Sequence, residues 1–138
     1  MTMAENQVVV FELSGVNYGI DINQVQEIIR MVEITPVAEG DMDMEGIINL
    51  RGQVIPIKSI SRRLGLSEKQ RDYETRVIVV EVADKKMGFI VDRVLEVGKY
   101  ISEEMEEPAK VGTNVSFLKG IVKKKENLWL ILNLSEVA

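Results

Sequence analysis

Asn49-Leu50-Arg51-Gly52 holds the residues best suited to chemistry, and that chemistry is recognition. The tetrapeptide lies between Ile47-Ile48 and Gln53-Val54-Ile55-Pro56-Ile57, two runs rich in β-branched residues, so it reads as a hairpin tip. Tips favour Asn, Gly or Asp, which accept positive φ or hydrogen-bond to their own backbone. A leucine beside an arginine is not chosen for that purpose. An apolar anchor next to a planar five-donor cation is a pairing that protein-binding surfaces use.

The other charged clusters support weaker chemistry. Asp41-Met42-Asp43-Met44-Glu45-Gly46 opens with calcium-loop spacing, but position twelve, which must supply a bidentate glutamate, is Gly52. It reads as a solvated acidic loop. Glu103-Glu104-Met105-Glu106-Glu107 and Lys123-Lys124-Lys125 read as surface, the latter blunting a hairpin tip. Gly15, Gly19 and Gly88 match no phosphate-cradling spacing, and Trp129, between Leu128 and Leu130, reads as packing.

Composition narrows the classes further. The 138 residues include no histidine and no cysteine, so imidazole and thiolate chemistry, disulfides and His or Cys metal sites are excluded. A net charge of −5 with 5% aromatics argues against a nucleic-acid binder. No catalytic residue, cofactor or metal ligand is assigned. The Asn114-Val115-Ser116 sequon reads as accidental, and with no visible signal peptide or membrane-length apolar run the chain is expected in the cytoplasm.

The elements that must position the tip come from an internal duplication. Slid by 69 positions, residues 8–32 fall on 77–101 without a gap: Val8, Val10, Glu12, Gly19, Val25 and Glu27 meet Val77, Val79, Glu81, Gly88, Val94 and Glu96 as identical pairs. After an insertion the offset becomes 74, and Gly46-Ile47-Ile48 meets Gly120-Ile121-Val122. Each unit opens with a hairpin, around Ser14-Gly15 or Ala83-Asp84, and closes with another. Between them Asn23 and Asp92 suit helix N-caps, and Val25, Ile28, Ile29 and Val32 have helical spacing, so a short helix is expected. Ser59 to Leu66 reads as a second short helix ended by Gly65, and Ser67 to Thr75 as a charged connector.

Five strands per unit is the count of a small closed barrel. The expected fold is mainly β: one domain over 1–138, made of two packed five-stranded SH3-like barrels with short helices. The lobes are expected over 8–75 and 76–138, with terminal strands free to cross, and a groove between them. The duplication also offers a control, since Asn49-Leu50-Arg51-Gly52 corresponds to Lys123-Lys124-Lys125-Glu126. A plain charged tip closes one hairpin, so the other tip exceeds what folding needs.

Several blocks resemble the CheW family of bacterial chemotaxis coupling proteins. They are Tyr18-Gly19-Ile20-Asp21-Ile22 with Val25-Gln26-Glu27-Ile28, then Ile48 to Ile57, then Thr75 to Glu81 and Gly88 to Val94. The resemblance implies two SH3-like barrels and a non-enzymatic adaptor. It would couple methyl-accepting chemoreceptor cytoplasmic tips to the regulatory domain of the histidine kinase CheA, in the cytoplasm and peripheral to membrane receptor arrays. By the same carry-over Val25, Glu27, Ile28, Asn49, Leu50, Arg51 and Gly52 form the receptor-binding set. The kinase-binding residues are not placed. The competing expectation is a small-molecule sensor with a pocket between the lobes.

Overall fold

The computed structural model describes residues 5–38, 40, 42–108 and 116–137. Asp41 and the Asn114-Val115 part of the sequon lie outside them. Strand follows strand in chain order: β1 (Glu5–Leu13), β2 (Val16–Asp21), β3 (Val25–Arg30), β4 (Met44–Leu50), β5 (Gln53–Ser59), β6 (Arg76–Val82), β7 (Lys85–Val91), β8 (Arg93–Ile101), β9 (Met105–Glu106), β10 (Leu118–Lys124) and β11 (Asn127–Leu132). Two short helices, α1 (Ile60–Arg63) and α2 (Leu134–Val137), follow β5 and β11. The mainly β, two-lobed fold is as expected.

Each lobe is one sheet, and each sheet draws strands from both 8–75 and 76–138. One runs β8-β1-β2-β11-β10-β9, the other β3-β6-β7-β5-β4. The opening hairpin of each half therefore completes the sheet of the other half. The exchange is reciprocal and in register: β2 pairs in parallel with β11 at Gly19↔Ile131, and β7 pairs in parallel with β5 at Gly88↔Ile57. Glycine serves at both crossings because a Cβ at Gly19 would sit 2.9 Å from Ile131 Cδ1, and one at Gly88 would sit 2.6 Å from Ile57 Cδ1.

The exchanged hairpins are buried on both faces, which explains unbroken apolar runs such as Val8-Val9-Val10-Phe11. One face of each meets the other hairpin in a central core, with Phe11, Tyr18 and Ile20 against Ile78, Val80 and Phe89. Leu134 and Val137 of α2 and Ile60 of α1 plug its ends. The opposite faces line a private core in each lobe, Val8, Val10 and Trp129 in one, Val77, Val79 and Ile55 in the other. Trp129 is thus packing, as expected.

The segment read as a helix is instead a strand. Asp21, not Asn23, caps a single 3-10 turn (Ile22–Gln24) by accepting from the Asn23 N–H at 2.9 Å, and β3 begins at once. Asp92 is no helix cap either; its carboxylate accepts the Ser14 N–H at 2.8 Å, joining the two halves. A register shift between Val25 and Glu27 explains the helical spacing. Val25 lies opposite Val80 and Ile28 opposite Ile78, so the bulge puts residues three apart on one face. The α1 expectation holds: Ser59 Oγ accepts from the Arg62 N–H at 3.3 Å, and Gly65 follows at φ 74°.

Candidate functional site

The candidate tip is a two-residue turn, with Leu50 paired to Gln53 and only Arg51 and Gly52 between the strands. Both turn residues have positive φ, 50° and 83°. Gly52 accepts this at no steric cost, whereas the arginine bears the penalty of an L-residue in the left-handed region. Asn49 holds the turn, its Oδ1 accepting the Gly52 N–H at 3.0 Å. Asn49→Ala is expected to cost about 1 kcal/mol, the net worth of such a bond, in urea unfolding of the whole chain. An unchanged midpoint would show that the tip holds itself.

The turn aims Arg51 back across the sheet at Glu27 on β3, and the two form an ion pair through Nη2 and Oε1. Sequence reasoning named both residues without joining them, because β3 and the β4–β5 turn belong to opposite edges of the sheet and approach only in the fold. The pair borders an open cleft of about 320 Å³ whose walls include Gln26, Leu50, Ile55, Val79 and Lys86. Leu50, the apolar anchor of the pairing, is half-buried against the lobe's private core. The cleft also lies within one lobe, not in a groove between the two.

The three candidates on β3 fall on its two faces. Glu27 stands opposite Val79 and shares the private-core face with the cleft, where Leu50 and Arg51 join it. Val25 packs instead against the central core, and Ile28, on that same face, is 39% exposed. The short helix expected here does not exist, since Val25–Arg30 is a strand. Yet β3 is an edge of its sheet, with β6 as its one neighbour, so both faces border the same rim.

The duplication gives this cleft a counterpart that is filled. Where the first copy has Ile55 and Ile29, the second has Trp129 and Gly98, and a Cβ at Gly98 would lie 2.8 Å from Trp129 Cζ3. The indole occupies the space that stays open beside Arg51. Glu96 and Lys125, the positions matching Glu27 and Arg51, form no ion pair among the described residues, and Glu96 is exposed.

The acidic clusters are structural. In the loop read as solvated, Asp43 is buried and Glu45 is bonded to Arg62 and, at 2.9 Å, to Arg71. Glu104 caps the Ile101 N–H and pairs with Lys124 at 2.8 Å, and these partners, the lysine first, hold its carboxyl below the usual range. No metal-holding cluster occurs among the described residues. Burial raises the hydroxyls of Tyr18 and Tyr100, with Asp21 adding to the second. None of these groups faces the Arg51 cleft.

Two reciprocally completed β lobes around a shared core make up a fold that is shared with a solved scaffolding protein. A solved structure described as the scaffolding protein TtCheW from Thermoanaerobacter tengcongensis superposes with a TM-score of 0.87 at 35% identity, covering 96% of this chain and 87% of that one. The chain belongs to the CheW-like domain family, which it matches over residues 7–138. It is 31% identical to chemotaxis protein CheW of Thermotoga maritima, covering 98% of this chain and 89% of that protein. It is 33% identical to the Bacillus subtilis protein of the same description, covering 95% and 85%. Its role is therefore that of a scaffold in chemotaxis signalling. No helix among the described residues is long and apolar enough to cross a membrane.

Proposed function

We propose that this chain is a non-catalytic coupling protein that joins the cytoplasmic tip of a chemoreceptor to the regulatory domain of the histidine kinase CheA. The observation that carries the proposal is the β3 rim, with half-exposed Ile28 on one side and the Glu27–Arg51 pair on the other. A helix laid along that rim would bury Ile28 and the edge of Val25 while meeting Arg51 with a carboxylate or a helix-end carbonyl. Asn49 and Gly52 act by setting the turn, Leu50 by flooring the cleft. Signal would pass through geometry, because the scaffold fixes kinase and receptor relative to each other. The protein would then work in the cytoplasm, at the receptor array.

Co-sedimentation tests this reading. Membranes or assembled fragments bearing the receptor cytoplasmic region are expected to pellet CheA efficiently only when this protein is added. Equal kinase recovery with and without it would end the proposal.

A further inference from the structure

The duplicated fold contains a second matched pair of clefts, one closed by the chain itself and one open. In the first copy, the wall formed by Ser59, Ser61 and Ile90 is covered by the connector residues Glu68, Lys69, Arg71 and Thr75, leaving about 20 Å³. In the second copy the matching positions, Asn133, Ser135 and Asp21, line an open cleft of about 290 Å³ together with Gln24, Tyr100 and Lys119.

The closed copy shows how the cover is held. Glu68 pairs with Arg62 at 2.6 Å, Arg71 pairs with Glu45 at 2.9 Å, and Arg62 and Glu45 pair with each other. The connector thus offers an acid and, three residues later, a base. In the open copy both receiving charges are reversed. Glu45 corresponds to Lys119 and Arg62 to Glu136, and neither Lys119 nor Glu136 forms an ion pair among the described residues.

We propose that the open cleft docks an extended peptide segment of a partner protein bearing a basic residue and, three positions later, an acidic one. The basic residue meets Glu136 and the acidic one meets Lys119, reproducing with opposite sign the clamp that holds the connector. The Tyr100 and Asn133 side of the cleft receives the backbone between them. This surface belongs to the six-stranded lobe and is separate from the β3 rim, so it stands or falls independently of receptor binding.

The probes are two peptides of the connector sequence, residues 64–75: one unaltered, one with the glutamate and arginine at positions 68 and 71 exchanged. Each is titrated into the isotope-labelled full chain and followed by amide chemical shifts. The exchanged peptide is expected to bind about tenfold more tightly than the unaltered one, a typical span for a reversed charge pair, with shifts centred on Tyr100, Lys119 and Asn133. Lys119→Glu with Glu136→Arg should invert the preference, and Lys119→Gln, a mild surface change, should weaken it. Equal binding of both peptides, no binding of either, or a preference untouched by these variants would overturn the proposal.

Discussion

Arg51→Asn is expected to leave the protein at least as stable as before and to abolish its retention on receptor fragments. The stability half follows from the backbone. Arg51 sits at φ 50° in a two-residue turn completed by Gly52, and Asn-Gly is the sequence such turns prefer. The substitution removes a strained arginine and installs a residue suited to the left-handed region, a gain of about 0.5 kcal/mol. The lost ion pair subtracts little, since Arg51 is 72% exposed and pairs of that kind are weak. The binding half follows from the loss of the guanidinium paired with Glu27, the group proposed to meet the partner's carboxylate. Thermal melting and receptor co-sedimentation, run on one preparation, measure the two halves. A variant that is distinctly less stable would show that the arginine serves the fold, and one that still binds would move the receptor surface elsewhere.

The second large effect is at Gly46. Its φ is 149°, and a Cβ there would overlap the Thr35 carbonyl oxygen, a backbone atom that no rotamer change can move. That carbonyl accepts the Ile47 N–H at 2.9 Å while the Thr35 N–H donates to the Ile47 carbonyl at 2.9 Å. The bridge ties the segment leaving β3 to the start of β4, and so fixes Glu27 relative to Arg51. Gly46→Ala is expected to cost about 3 kcal/mol in denaturant unfolding, combining backbone strain with a broken bridge. Gly52→Ala, with positive φ but open space around it, supplies the comparison and should cost only about 1 kcal/mol. Receptor retention should fall for Gly46→Ala well beyond the loss of folded protein. Equal costs for the two variants would mean that the bridge contributes nothing.

Much of this architecture is legible in the sequence because the duplication repeats local signals. The turns at Ser14-Gly15 and Ala83-Asp84 and the strands around them are marked twice, and agreement between copies reinforces each. The same offset of 74 that aligns the closing hairpins also carries α1 onto α2, a helix that composition near the last residues does not announce. The exchange of hairpins leaves no such mark. Gly19 and Gly88, like Ile57 and Ile131, are near-equivalent partners, so either pairing scheme satisfies the same residues.

The misread helix has a different cause. A bulge adds one residue to the period of two, and Val25 with Ile28 then shows the spacing of a helical face. The binding candidates were legible as types: an arginine at a tip whose twin is plain, and a glutamate and isoleucine on an apolar stretch. Their grouping was not, because Glu27 and Arg51 meet across a cleft built from five strands. The space they share exists because Ile55 stands where its twin is a tryptophan, a difference of side-chain volume that reads as meaningless until the two lobes are superposed.

The reciprocal pairing of β2 with β11 and of β7 with β5 also bears on how the chain is born. The sheet bearing the Arg51 tip waits for β6 and β7, and the other sheet waits for β8 to β11. A nascent first half emerging from the ribosome holds a hairpin whose permanent neighbours have not yet been translated, and its long-range pairings must form late. The five-stranded sheet has all its strands once β7 is made, but the central core it shares with the other sheet closes only when β11 and α2 are added. A chain interrupted before β6 is left with the apolar faces of its opening hairpin, Phe11, Tyr18 and Ile20 among them, uncovered.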